Sequence, residues 1–137
     1  MRARTAAPAV LIAWVLVGCG TADGGTGGTG SGADLVDCGQ VSLGQGESTI
    51  PAAKLDCLAR AADAGDPATL AVLAPTTEGD LIATTYSVVG VGTVNVVVDS
   101  TADRFAGSGA GITVQTCAFG VEAGRIEVRD CTEPQAF

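Results

Sequence analysis

Five cysteines constrain this chain more than any other feature of its 137 residues. Cys19 closes an apolar run near the N-terminus. The other four, Cys38, Cys57, Cys117 and Cys131, are spread over the remainder. An even set in an exported chain points to two disulfides. A metal site fits less well, because no two of the four form a C-x-x-C pair and the chain has no histidine. Four cysteines allow three connectivities. Joining neighbours in sequence, Cys38 with Cys57 and Cys117 with Cys131, is favoured. The second link closes a loop of about 15 residues, worth about 3 kcal/mol in the chain-entropy account. Such links matter here, since aromatic residues make up only 4% of the chain and the core must come from Ala, Val, Ile and Leu.

The N-terminus reads as an address. Arg2 and Arg4 precede the apolar run Ala9 to Val17. As helix that run rises only about 14 Å, half of a bilayer core, which suits a signal peptide better than a span. Leu16-Val17-Gly18-Cys19 resembles the lipobox of bacterial lipoproteins, in which a diacylglyceryl group is attached to the cysteine sulfur and the chain is cut just before it. The resemblance implies a signal peptide at 1–18, a lipidated Cys19 and attachment to the extracytoplasmic face of the cell membrane. One acyl chain holds only marginally, so a stable anchor needs two or three. Residues 20–33 (GTADGGTGGTGSGA) are half glycine and hold no large apolar side chain. They read as a flexible tether reaching about 20 Å. The formal charge of −8 argues against a nucleic-acid partner and against lying on anionic lipid.

Residues 34–137 read as one small domain. Ser48-Thr49-Ile50-Pro51 predicts a helix start, with a hydroxyl cap and proline in the first turn. Leu55, Leu58, Ala59 and Ala62 make its apolar stripe, and Gly65 with Pro67 ends it. Strands follow over 69–74, 81–89 and 93–98, then a loop at 106–111 and a hairpin of 112–121 with 125–131. Short turns at 76–80, 90–92 and 122–124 predict mostly antiparallel pairing. The expected class is therefore α+β: one N-terminal helix on a four- to five-stranded, mostly antiparallel sheet with two disulfides. Apolar matching sets Val121 opposite Ile126 and Phe119 opposite Val128. Cys117 then faces Asp130, one residue short of Cys131, so the second disulfide needs a bulge or a loosened strand end.

Thr76-Thr77-Glu78-Gly79-Asp80-Leu81-Ile82 resembles the TTEGDPI signature of a family of small bacterial lipoproteins, domain of unknown function 4362. Asp99-Ser100-Thr101-Ala102-Asp103-Arg104-Phe105 is similar to that family's D-x-T-x-D-[KR]-[FY] segment. Ile112 to Cys117, Cys131 and Ala53-Lys54-Leu55-Asp56 also have counterparts in it. Leu81 replaces the usual proline, and Cys38 and Cys57 stand where that family is not expected to have cysteines. The resemblance implies the architecture and an exported location, with Cys117 and Cys131 as the family pair. It supplies no reaction.

The candidate ligand or cation surface is Thr77, Glu78, Asp80, Asp99, Thr101, Asp103 and Arg104. A turn near 91 sets residue 81 opposite 101, so the two acidic turns share one end of the sheet. Four carboxylates with threonine hydroxyls could hold a hard cation such as calcium. An EF-hand is excluded, because Arg104 and Ala110 stand where its loop needs glycine and glutamate. The plainer reading is that Asp and Thr cap nearby backbone amides, and Arg104 is expected to pair with Asp99 or Asp103. Ser108 lacks the glycines of a nucleophile elbow. No catalytic residue, metal or cofactor is assigned. The expected function is a lipid-anchored binding module whose partner is a protein or peptide of the cell envelope. The alternatives are a structural envelope protein recruiting a partner strand, then a small carboxylate-dependent hydrolase or calcium-binding domain.

Overall fold

The computed structural model describes residues 34–137. The signal segment at 1–18, the lipidation of Cys19 and the tether at 20–33 lie outside the described residues. The chain runs through β1 (Val36–Ser42), α1 (Ala52–Ala64), β2 (Ala68–Pro75), β3 (Leu81–Gly90), β4 (Thr93–Asp99), β5 (Ile112–Glu122), β6 (Arg125–Arg129) and β7 (Gln135–Ala136). The strands lie in the order β1-β2-β3-β4-β5-β6, with β7 beside β5. Only β1 and β2 are parallel, and α1 is the crossover between them. The class is α+β with a mostly antiparallel sheet, but the sheet holds seven strands rather than four or five.

The strand missing from the sequence reading is chiefly β1. Its sequence VDCGQVS does not alternate, because a bulge interrupts it between Asp37 and Gln40. Gly39 sits there at φ 86°, and its N–H donates to the Asp37 carboxylate at 2.7 Å. The extra residue puts Cys38 and Val41, three apart, on the same buried face. The short β7 was also missed. After Asp130 the chain rejoins β5 when Thr132 N–H donates to the Thr116 carbonyl at 2.9 Å. It then pairs as β7 with Thr113 and Val114.

The helix begins later than expected. Pro51 stands at its N-cap with no side-chain hydrogen bond, so the Ser48 and Thr49 hydroxyls do not cap it. Leu55, Leu58, Ala61 and Ala62 are its buried stripe. They pack on Ala68, Leu70 and Val72 of β2, Val88 of β3, Val94 and Val96 of β4 and Cys117 of β5. Leu58, Leu70 and Val94 are fully buried. Small side chains on helix and sheet let the two approach closely. At the C-terminus Gly65 takes φ 74°, and the Gly92 N–H of the β3–β4 turn donates to the Ala62 carbonyl at 2.8 Å.

Both disulfides join the expected pairs, Cys38 with Cys57 and Cys117 with Cys131. The β5–β6 register is also as expected, with Phe119 opposite Val128 and Val121 opposite Ile126. The missing half-step to Cys131 is made at the strand end: β6 stops at Arg129, and Asp130 adopts φ 51°. At the other end of the hairpin Ala123 and Gly124 both have positive φ, 49° and 76°. That is the two-residue turn whose twist matches the strands.

The sheet curls. β1 and β6 are its opposite edges, yet Ile50 N–H, in the loop after β1, donates to the Gly124 carbonyl of the β5–β6 turn at 2.9 Å. The helix occupies part of the concave side. A Cβ on Gly65 would lie 2.9 Å from Val91 Cγ2 and 3.2 Å from the Val91 backbone nitrogen. Gly65→Ala is expected to cost about 2 kcal/mol, read as a fall in Tm, with part of the loss recovered by Val91→Ala. Ala123→Asn, better suited to positive φ, is expected to raise stability by about 0.5–1 kcal/mol in the same assay.

Candidate functional site

The two acidic turns do share one end of the sheet. Ala83 pairs with Asp99, the alignment that places residue 81 level with 101. What the turns do there is hold each other. Asp80, buried with 8% of its surface exposed, accepts from Arg104 N–H at 3.0 Å and from Arg104 Nε at 2.8 Å. Arg104 thus pairs with Asp80 and not with Asp99 or Asp103, because the loop after β4 folds its backbone amide onto the Asp80 carboxylate. The guanidinium lies 5.9 Å from the centre of the Phe105 ring.

The remaining carboxylates cap their own loops. Asp99 accepts from Thr101 N–H at 2.9 Å and Thr101 Oγ1 at 2.6 Å. Asp103 accepts from the N–H groups of Phe105 at 2.9 Å and Ala106 at 3.1 Å. Thr77 Oγ1 donates to Glu78 at 2.7 Å. Ser100 Oγ donates to the Gly111 carbonyl at 2.9 Å and so clamps the base of the loop, which includes a short 3-10 turn at Gly107–Gly109. Thr77, Glu78, Asp80, Asp99, Thr101, Asp103 and Arg104 thus form a network of caps around one ion pair. Among the described residues no three His, Cys, Asp or Glu side chains gather as a metal site.

The hydroxyl of Thr77, then the backbone amide, hold the Glu78 carboxyl below its ordinary value. The hydroxyl and then the amide of Thr101 do the same for Asp99. Glu78 is exposed and Asp99 partly so. A depressed folded pKa contributes stability above the unfolded value, 4.5 for Glu78 and 3.8 for Asp99, and that contribution is lost as pH falls through the lower folded values.

A second feature lies on the concave side of the sheet, before the start of the helix. The cavity there measures about 310 Å³, between the loop after β1, the β2–β3 pair and the start of β6. Leu43, Ile50, Val72 and Ile126 give it apolar walls, with Thr84, Tyr86 and Arg125 as polar groups. Burial raises the Tyr86 pKa, so its hydroxyl stays protonated and able to donate. None of these was singled out as functional from sequence. Thr84 and Tyr86 fall within the strand expected over 81–89, and Ile50 within the expected helix start. One signal was available: Tyr86 is the chain's only tyrosine.

The chain matches no family model, no curated protein and no solved structure.

Asp80→Ala is expected to cost about 2 kcal/mol in chemical denaturation, because two backbone-anchored loops lose their shared acceptor. Glu78→Ala, at an exposed site, should stay within about 0.5 kcal/mol. In a carboxyl NMR titration, Thr77→Val is expected to bring Glu78 up toward its ordinary pKa, and Thr101→Val to do the same for Asp99.

Proposed function

We propose that this chain is an extracytoplasmic binding module held at the cell membrane by a lipid on Cys19. The observation that carries the compartment is the closure of all four cysteines of the domain into two disulfides, a state that persists in oxidising spaces. The lipobox-like Leu16-Val17-Gly18-Cys19 and the glycine-rich segment after it support the anchor. The likeness of Thr76–Ile82 and Asp99–Phe105 to a family of small bacterial lipoproteins points the same way. The binding role is supported by an uncommitted concave surface, whereas the carboxylates of the acidic corner are already occupied in holding loops together.

Recruitment of a partner strand is the less favoured route. The β1 edge carries the Asp37–Gln40 bulge, and β6 is five residues long with Arg125, Glu127 and Arg129 along it. Bulges and charges are the devices that discourage edge pairing.

Cells fed labelled palmitate are expected to label the chain and to retain it in the membrane fraction, whereas Cys19→Ser loses the label and keeps residues 1–18 uncleaved. An intact, unlabelled precursor in the cytosol with reduced thiols at 38, 57, 117 and 131 would refute the reading.

A further inference from the structure

We infer that the concave cavity is a binding site for a carboxylate bearing an aliphatic tail. This deepens the binding-module reading and rests on it, but does not depend on the lipid anchor.

The cavity is a consequence of the fold. Helix α1 has only 13 residues and starts at Ala52, so the part of the concave side under the preceding loop is left uncovered by it. There the sheet presents short side chains, Val72, Ala74 and Thr84, that do not fill the space. Ile50 is pinned above them through its N–H bond to Gly124. The hollow of about 310 Å³ is an open groove rather than an enclosed cavity, with walls mostly apolar and a few polar groups.

Charge selects the ligand. The two ion pairs of the described residues are Arg104 with Asp80 and Arg129 with Glu122, so Arg125 is left without an acidic partner among them. Glu47 is the one acidic residue lining the cavity, and its carboxylate already accepts from Gly44 N–H at 2.7 Å. The Tyr86 hydroxyl, protonated at neutral pH, has no hydrogen-bond partner among the described residues. The uncommitted groups are thus donors beside an apolar wall. They are complemented by a ligand with one anionic, two-oxygen acceptor and a hydrocarbon tail, since guanidinium and carboxylate match geometrically. The net charge of the whole chain, −8, disfavours multiply charged anions. A fatty acid and the C-terminal aliphatic residue of a peptide both offer this chemistry.

The test uses the exported chain with Cys19→Ser and both disulfides intact. Tyr86 is the only tyrosine, so its ring NMR signals report from the cavity wall. Octanoate, octanol and octylamine are titrated by NMR and calorimetry, beside a leucine-terminated peptide as free acid and as amide. Octanoate is expected to saturate at least about tenfold more tightly than octanol, with octylamine weakest. Arg125→Gln is expected to reduce that affinity about tenfold while Tm stays unchanged. Saturation by the peptide acid but not by octanoate or the peptide amide would keep the chemistry and assign the peptide as its source. Equal affinity for octanoate and octanol, or an unaffected Arg125→Gln, would overturn the inference. So would failure of both octanoate and the peptide acid to saturate at millimolar concentration. None of these results would alter palmitate labelling of the wild-type chain.

Discussion

The close seating of a small-residue helix against a curled sheet is the contact on which the other features depend. Leu58 and Ala62 of α1 and Ala68, Leu70 and Val94 of the sheet are almost fully sealed from water. No aromatic side chain lies among the buried residues of this core, and Phe119 and Tyr86 only flank it. A core of alanine, valine and leucine yields modest apolar area per residue, so loop entropy must be limited elsewhere. The disulfides do that at two places. Cys38–Cys57 ties the helix to β1, the strand most weakened by its bulge. Cys117–Cys131 fastens the end of β6 to the central length of β5. Each link therefore reinforces a point where the ladder itself is interrupted.

The parts legible in sequence were those with a clean period or a turn of restricted chemistry. The strands β2 to β6 follow from alternation and β-branched runs, and Gly65 marks the helix end because only glycine tolerates that backbone beside Val91. The hairpin register followed from apolar matching, and with it the irregularity that Asp130 supplies. β1 was hidden for a physical reason. Its bulge replaces the spacing of two with a spacing of three, so a period search reads it as loop. The helix cap was misplaced because hydroxyls upstream of a proline look like a cap, whereas here Ile50 turns down to meet the β5–β6 hairpin. That contact joins residues far apart in sequence, and no local pattern records it.

The acidic turns were legible as neighbours but not as partners. Strand register alone places Glu78, Asp80, Asp99 and Asp103 at one end of the sheet. It does not say that Asp80 is swallowed by the loop after β4, and this is what decides the chemistry available there. A carboxylate that accepts from a backbone amide and a guanidinium has exchanged water for fixed donors. Asp99 and Asp103 satisfy amides of their own turns in the same way. The corner is thus a means of ordering the loop from Ser100 to Gly111, in which a run of small residues would otherwise have little to fix it.

Function is then best sought where polar groups are left over. On the convex face the strands present Ala71, Ala83, Thr85, Val97 and Thr116, flat and largely uncharged, and Asn95 Oδ1 already accepts from Thr116 Oγ1 at 2.7 Å. The concave side differs, because curling brings β6 across toward the loop after β1 and sets exposed Arg125 on the same hollow as Tyr86 and Thr84, with Glu47 as the one acid there and no ion pair between the two. Among the polar clusters of the domain, the acidic corner is internally satisfied and this one is not. The same curl that seats the helix also creates the gap that the helix is too short to fill, so scaffold and cavity arise from one geometric feature.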